Sequence, residues 1–108
     1  MESNVRPELV DKYILYATQR YAINVDIVEK DGVFVYEQVD ISAGKWNYAG
    51  VVDALISNKD PIDKMQAVIN NYLLDPEDAY AIDEFNKMQA WRKEAKEIAK
   101  EALTYGVP

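Results

Sequence analysis

Cysteine and histidine are both absent from this chain of 108 residues. Without cysteine, disulfides, thiol nucleophiles, iron–sulfur clusters and thiolate metal sites are all excluded. Without histidine, the commonest general base and the commonest transition-metal ligand are missing, which leaves Asp, Glu, Lys, Tyr and Ser for any chemistry. We therefore expect a protein that is not an enzyme and that holds no metal and no cofactor.

Clustered positive charge and long apolar runs are missing as well. The formal net charge is −7, of which −3 falls in residues 1–45 and −4 in residues 46–108. Nucleic acids and anionic membranes both bind through clustered Lys and Arg, so this balance disfavours either partner. No apolar run reaches the ~18 residues of a membrane span, and no export signal opens the chain. These features predict a cytoplasmic protein, folded as one domain over residues 1–108.

The alternation of apolar and polar residues in residues 21–41 predicts a β-hairpin, with strands at about 21–29 and 33–41. Two registers fit its turn. A two-residue Asp31-Gly32 loop suits a type I′ turn but sets like charges opposite each other. A three-residue loop beginning at Lys30 avoids this and is the register we favour. It pairs Tyr21 with Ile41, Ile23 with Val39, Val25 with Glu37, Asp26 with Tyr36, Ile27 with Val35 and Val28 with Phe34.

Residues 7–20 have two interpretations. Pro7 followed by apolar residues at helical spacing is typical of a helix, which is slightly favoured. Residues 12–17 are rich in Tyr and Ile and also fit a third strand beside the hairpin, which would otherwise be marginal in water.

The remainder of the chain predicts three helices, at about 46–57, 61–74 and 76–105, that cover the hairpin in an α+β fold. Asp60-Pro61 and Asp75-Pro76 are expected to begin the second and third helices. The second helix has an apolar stripe of Ile62, Met65, Val68, Ile69, Tyr72 and Leu73. Because large apolar residues precede small alanines in the third helix, its first half is expected to dock on the core. Its second half is expected to project or to pack closely on another helix.

The aromatic residues have two main interpretations: ordinary core or rim positions, which are favoured, and a binding surface for a protein partner. The chain has eight tyrosines and two tryptophans, and such side chains suit protein interfaces because they combine a large apolar area with a polar tip. Trp91 is in register with core positions and is expected to be buried, whereas Trp46 precedes a helical stripe and is expected to be exposed. The predicted partner-binding residues are Tyr13, Tyr16, Tyr36, Trp46 and Tyr48.

The densest acidic cluster consists of Asp75, Glu77, Asp78, Asp83 and Glu84. Its spacing does not match an EF-hand loop, which needs alternating oxygen ligands, a central glycine and a closing glutamate. Helix capping and solvation explain these carboxylates, so no metal site is predicted.

From residue 46 to residue 105 the layout resembles that of small prophage-encoded accessory proteins found near tail genes. The residues that carry the resemblance are Tyr48, Val51-Val52-Asp53-Ala54-Leu55-Ile56, Asp60-Pro61-Ile62-Asp63, Glu84-Phe85 and Trp91-Arg92. It implies a virion-associated, assembly or accessory role through protein contacts, with no catalytic residue to carry over.

These observations favour a non-catalytic protein-interaction or assembly domain whose partner is another protein or a second copy of the chain. A free hairpin edge or the long terminal helix would offer the docking surface. An acidic inhibitor that mimics nucleic acid is one alternative, and a small-ligand-binding domain or enzyme is another.

Overall fold

In the computed structural model, which describes residues 1–42 and 44–104, an antiparallel four-stranded sheet precedes three helices. The predicted α+β class is thereby confirmed. The strands are β1 (Glu2–Ser3), β2 (Val10–Leu15), β3 (Thr18–Lys30) and β4 (Val33–Ile41), in the spatial order β1-β4-β3-β2. The helices are α1 (Tyr48–Lys59), α2 (Ile62–Leu74) and α3 (Ala79–Ala102).

Strand β2 decides between the two interpretations of residues 7–20: the helix is wrong and the strand is right. β2 pairs with β3 along its whole length, from Val10 opposite Ile23 to Leu15 opposite Thr18. A continuous ladder of backbone hydrogen bonds outweighs a weak helical pattern, because local propensity gives way to tertiary pairing. The third strand also supplies the support that a two-stranded hairpin lacks.

The β3–β4 hairpin has the predicted register away from its turn and a different one close to it. Residues 21–25 face residues 41–37 as predicted. Val28 then faces Val35, so the predicted pairing of Ile27 with Val35 is wrong, as is that of Val28 with Phe34.

The difference arises from a β-bulge at Asp26 and Ile27. The turn itself is the two-residue Asp31-Gly32 loop, with φ angles of 51° and 79° that match the left-handed pair of a type I′ turn. The predicted three-residue loop is therefore wrong. Because β3 has one residue more than β4 at the bulge, the two-residue turn is compatible with the register that pairs the apolar faces of the strands. Asp26, at the bulge, has a φ angle of 55°.

Helix starts lie one to three residues later than the sequence predicts. Asn47 caps α1 by accepting a hydrogen bond from the backbone N–H of Gly50 at 2.8 Å. Asp60 does not cap α2; its backbone N–H closes α1 and its buried carboxylate pairs with Lys64 at 3.0 Å. Asp78 caps α3 in place of Asp75. The predicted end of this helix at residue 105 lies outside the described residues.

Helices α1 and α3 cover one face of the sheet. That face contributes Val10, Tyr21, Ile23, Val25, Val39 and Ile41 to the core, and α1 contributes Val51, Val52, Leu55 and Ile56. Trp91 of α3 is buried among them and its indole N–H donates to the Leu55 carbonyl oxygen at 3.0 Å. The prediction that Trp91 is a core residue is confirmed.

The prediction for α3 is right for its second half, which packs closely on another helix, α1, and wrong for its first half, which does not dock on the sheet core. Its second half enters the sheet core through Trp91 and three buried alanines, whose small side chains let the helix approach closely. Its first half pairs with α2, where the rings of Tyr72 and Phe85 stack at 4.4 Å between centroids.

The pair formed by α2 and the first half of α3 extends away from the sheet. Val68 is buried, but Ile62 and Leu73, at the two ends of the predicted α2 stripe, are exposed. The radius of gyration is 16.2 Å, compared with about 13 Å for a compact domain of this length. The molecule is therefore elongated, with a part of its apolar surface left uncovered.

Candidate functional site

The end of the β2–β3 hairpin, residues 12–20, is referred to below as the hairpin tip. β2 is an edge strand, and the backbone N–H of Asn24 donates to the carbonyl oxygen of Leu9 at 2.9 Å. In an antiparallel ladder, bonded pairs alternate with unbonded ones. The backbone N–H and C=O groups of Lys12 and Ile14 therefore point away from β3, toward solvent.

The turn of the hairpin tip has an unusual composition. Tyr16 and Ala17 occupy its two central positions with φ angles of 50° and 60°. Both angles are left-handed, as a type I′ turn requires, and such turns strongly prefer Asn and Gly. A residue with a Cβ atom costs roughly 1–2 kcal/mol in this conformation. The sequence thus keeps a tyrosine where the fold would be more stable with another residue.

Three consecutive large apolar side chains are exposed at the hairpin tip. Tyr16 is 93% exposed and Ile14 is 72% exposed, and Leu15 between them is also exposed. Adjacent strand residues point to opposite faces of a sheet, so Ile14 and Leu15 lie on opposite faces. Burying such side chains against a partner would contribute about 1.5–3 kcal/mol each.

The charges of the hairpin tip are positive. Residues 12–20 contain Lys12 and Arg20 and no acidic residue. Among the described residues neither side chain forms a salt bridge, and the buried Nε atom of Arg20 has no hydrogen-bond partner there. Lys12 is exposed and can meet an acidic partner, whereas Arg20 is half-buried.

A partly buried polar network, centred on the buried Asn24, links β2 to the sheet. The Asp11 carboxylate accepts hydrogen bonds from Asn24 at 3.1 Å and from Gln38 at 3.0 Å. Asn24 also donates to the carbonyl oxygen of Glu8 at 2.7 Å and accepts from Gln38 at 3.1 Å. These bonds join β2, β3 and β4 at the base of the hairpin.

The structure brings together only some of the predicted partner-binding residues. Tyr13 and Tyr16 both belong to the hairpin tip, where the Tyr13 hydroxyl donates to Asp40 at 3.2 Å. Tyr36 is buried and lies six residue positions farther along the same sheet face, or about 20 Å away at the usual strand rise. It does not form part of the tip.

Trp46 and Tyr48 lie on the helical side of the sheet. Trp46 is half-buried and stacks on Tyr21 at 4.2 Å between ring centroids, and Tyr21 is the cross-strand neighbour of Lys12. Trp46 therefore lies beside the base of the hairpin tip. Tyr48 is exposed at the first residue of α1.

Sequence reasoning missed Ile14, Leu15 and Arg20. Consecutive residues of a strand point to opposite faces, so Ile14 and Leu15 cannot both face one core. These adjacent apolar residues were the sequence signal that one of them is exposed. Nothing in the sequence marks Tyr16-Ala17 as a turn, because neither residue is Gly, Asn or Asp.

A second exposed apolar cluster lies where α2 meets α3, in residues 73–84, referred to below as the helical tip. Leu73, Leu74 and Tyr80 are exposed there. The segment contains five acidic residues and no basic one: Asp75, Glu77, Asp78, Asp83 and Glu84.

Some of these carboxylates also have local structural roles. Asp75 and Asp78 accept hydrogen bonds from backbone N–H groups. Asp83 pairs with Lys87 at 2.9 Å, and this hydrogen bond is the main reason that the pKa of Lys87 is raised. Within the described residues no three acidic side chains are grouped so as to hold a metal ion.

None of the helices in the described part of the chain combines the length and the apolar composition that a bilayer crossing requires. Comparisons with protein-family models, with curated proteins and with solved structures gave no match to this chain.

Proposed function

We propose that this chain is a non-catalytic protein-interaction domain that binds a partner protein through the hairpin tip. The observation that carries the proposal is that Ile14, Leu15 and Tyr16 are exposed at a turn whose two central residues have left-handed φ angles. Strained backbone conformations cluster at functional positions, and adjacent exposed apolar side chains mark interaction surfaces.

Three properties of the hairpin tip support binding to a protein. The outward backbone groups of Lys12 and Ile14 can pair with an extended segment of the partner, as in β-strand addition. Ile14 and Leu15 can bury apolar surface on both faces of the added strand. Tyr16 supplies an amphipathic anchor of the kind enriched among interface hot spots.

The same proposal places the protein in the cytoplasm or on a virion, in an assembly or accessory role. The resemblance of residues 46–105 to prophage-encoded accessory proteins, which rests on the sequence alone, is the reason for proposing the assembly role.

Site-specific photo-crosslinking tests the proposal. A photoreactive phenylalanine analogue replaces Tyr16 in one variant and Val5 in a control, because Val5 is 73% exposed and lies outside the hairpin tip. Irradiation of cells that contain each variant should give a discrete cross-linked protein from position 16 and none from position 5. Mass spectrometry of the product identifies the partner.

Affinity measurements with the purified partner test whether binding depends on the hairpin tip. Ile14→Lys should weaken the affinity about tenfold or more, since truncating or charging a hot spot costs above 1 kcal/mol. Val5→Lys, which introduces the same charge at an equally exposed position, should leave the affinity unchanged. Equal losses in both variants, or identical cross-links from both positions, would refute the proposed function.

A further inference from the structure

The hairpin tip and the helical tip are complementary in charge and alike in apolar exposure. The hairpin tip carries two basic residues and no acidic one, whereas the helical tip carries five acidic residues and no basic one. Each exposes three large apolar side chains: Ile14, Leu15 and Tyr16 on one, and Leu73, Leu74 and Tyr80 on the other. Opposite charges around matching apolar patches are the usual features of two surfaces that bind each other.

We propose that the hairpin tip of one copy docks on the helical tip of a second copy. This inference rests on the proposed function and specifies its partner. A single copy does not bury both surfaces, because Tyr16 and Leu74 remain 93% and 84% exposed in the folded chain. Both tips therefore stay available for contacts between molecules.

The charges give the contact its orientation. Lys12 and Arg20 form no salt bridge among the described residues, and neither do Asp75, Glu77, Asp78 and Glu84. Bringing the two tips together pairs these charges, whereas two hairpin tips or two helical tips would repel each other. Docking therefore joins unlike tips and disfavours any dimer in which like tips meet.

A contact between unlike surfaces has a predictable consequence for assembly. Two copies joined by one such contact leave one hairpin tip and one helical tip unoccupied between them, at the two ends of the pair. Heterologous contacts form a ring if the rotation between neighbours closes, and an open filament if it does not. A two-fold rotation closes two copies into a dimer through two tip contacts, and with any other rotation the chain should assemble beyond the dimer as its concentration rises.

Sedimentation of two variants and their mixture tests this assembly. Ile14→Glu blocks the hairpin tip by opposing the acidic helical tip, and Leu74→Lys blocks the helical tip by opposing Lys12 and Arg20. Each variant alone should need about tenfold or more higher concentration than the wild type to associate. An equimolar mixture should form a species of about twice the 12.4 kDa chain mass and nothing larger. Each variant supplies one intact tip, and both intact tips are occupied once the two copies have docked.

Matched controls separate docking from general charge effects. Val5→Glu and Ile62→Lys introduce the same charges at exposed apolar positions outside the two tips, and both should associate as the wild type does. A charge pair tests the electrostatic part: Lys12→Glu should weaken association, and mixing it with Glu77→Lys should restore it. Recovery in either mixture also shows that the variants are folded, because a misfolded chain cannot restore binding.

Three results would overturn the inference: a wild type that stays monomeric up to about 1 mM, a Leu74→Lys variant that associates as the wild type does, or a mixture that gains nothing over its components. If the wild type is monomeric but position 16 still cross-links a different protein, head-to-tail docking fails and the proposed function stands. If that cross-link is also missing, both fail.

Discussion

The carboxylate of Asp26 lies 2.8 Å from the ammonium nitrogen of Lys59, which joins the bulge in β3 to the end of α1. The same ammonium lies 4.0 Å from the centre of the Trp91 ring, in a cation–π contact. One lysine thus connects the irregular part of the sheet with both helices that cover it.

Substitutions at Asp26 should separate the ion pair from the backbone conformation. Asp26→Asn keeps a side chain that tolerates a φ of 55° but removes the charge, and it should cost less than about 1 kcal/mol because the pair is partly exposed. Asp26→Val also places a β-branched residue in the left-handed region and should cost about 1–2 kcal/mol more. Urea unfolding measures both; equal losses would show that the conformation at the bulge carries no strain.

Replacing Tyr16-Ala17 by Asn-Gly should raise stability while it weakens binding. Asn and Gly accept the left-handed φ angles of a type I′ turn, so the free energy of unfolding should rise by about 1 kcal/mol. Asp31→Asn, at the other two-residue turn, should change it by less than about 0.5 kcal/mol, because Asp31-Gly32 already suits that turn. A loss of stability in the double variant would contradict the strain assigned to the hairpin tip.

Leucines in the core and at the helical tip should respond differently to truncation. Leu55 is fully buried, and Leu55→Ala should cost about 2–5 kcal/mol through lost burial and the cavity left behind. Leu73→Ala removes an exposed side chain and should cost less than about 0.5 kcal/mol. Thermal and urea unfolding provide the comparison. A large loss at Leu73 would mean that the helical tip contributes to the fold of the single chain.

The buried amide of Asn24 should control the attachment of β2. Asn24→Ala leaves the Asp11 carboxylate and the Glu8 carbonyl oxygen without its hydrogen bonds and should cost about 2–3 kcal/mol. Gln19→Ala, which removes exposed hydrogen bonds near the hairpin turn, should cost about 1 kcal/mol or less. Hydrogen exchange of the β2 amides should accelerate much more in the first variant. Unchanged exchange would place the attachment of β2 elsewhere.

Part of the candidate site was accessible from the sequence. Tyr13 and Tyr16 were predicted to bind a partner because aromatic side chains suit interfaces, and both lie in the hairpin tip. Ile14 and Leu15 were not identified, because their exposure depends on the position of β2 at the edge of the sheet. The acidic cluster was also apparent in the sequence, where helix capping and solvation explained it. The structure adds that Leu74 and Tyr80 are exposed beside these carboxylates.

By itself the sequence determined the α+β class, the three helices and the pairing of residues 21–25 with 37–41. These features follow from periodic burial over several residues, which local spacing records directly. Only the tertiary structure decided that residues 10–15 form an edge strand, that the bulge lies at Asp26, and which half of α3 enters the core. In each case the local sequence is compatible with more than one arrangement. The free-energy difference between the arrangements comes from long-range packing in the assembled fold.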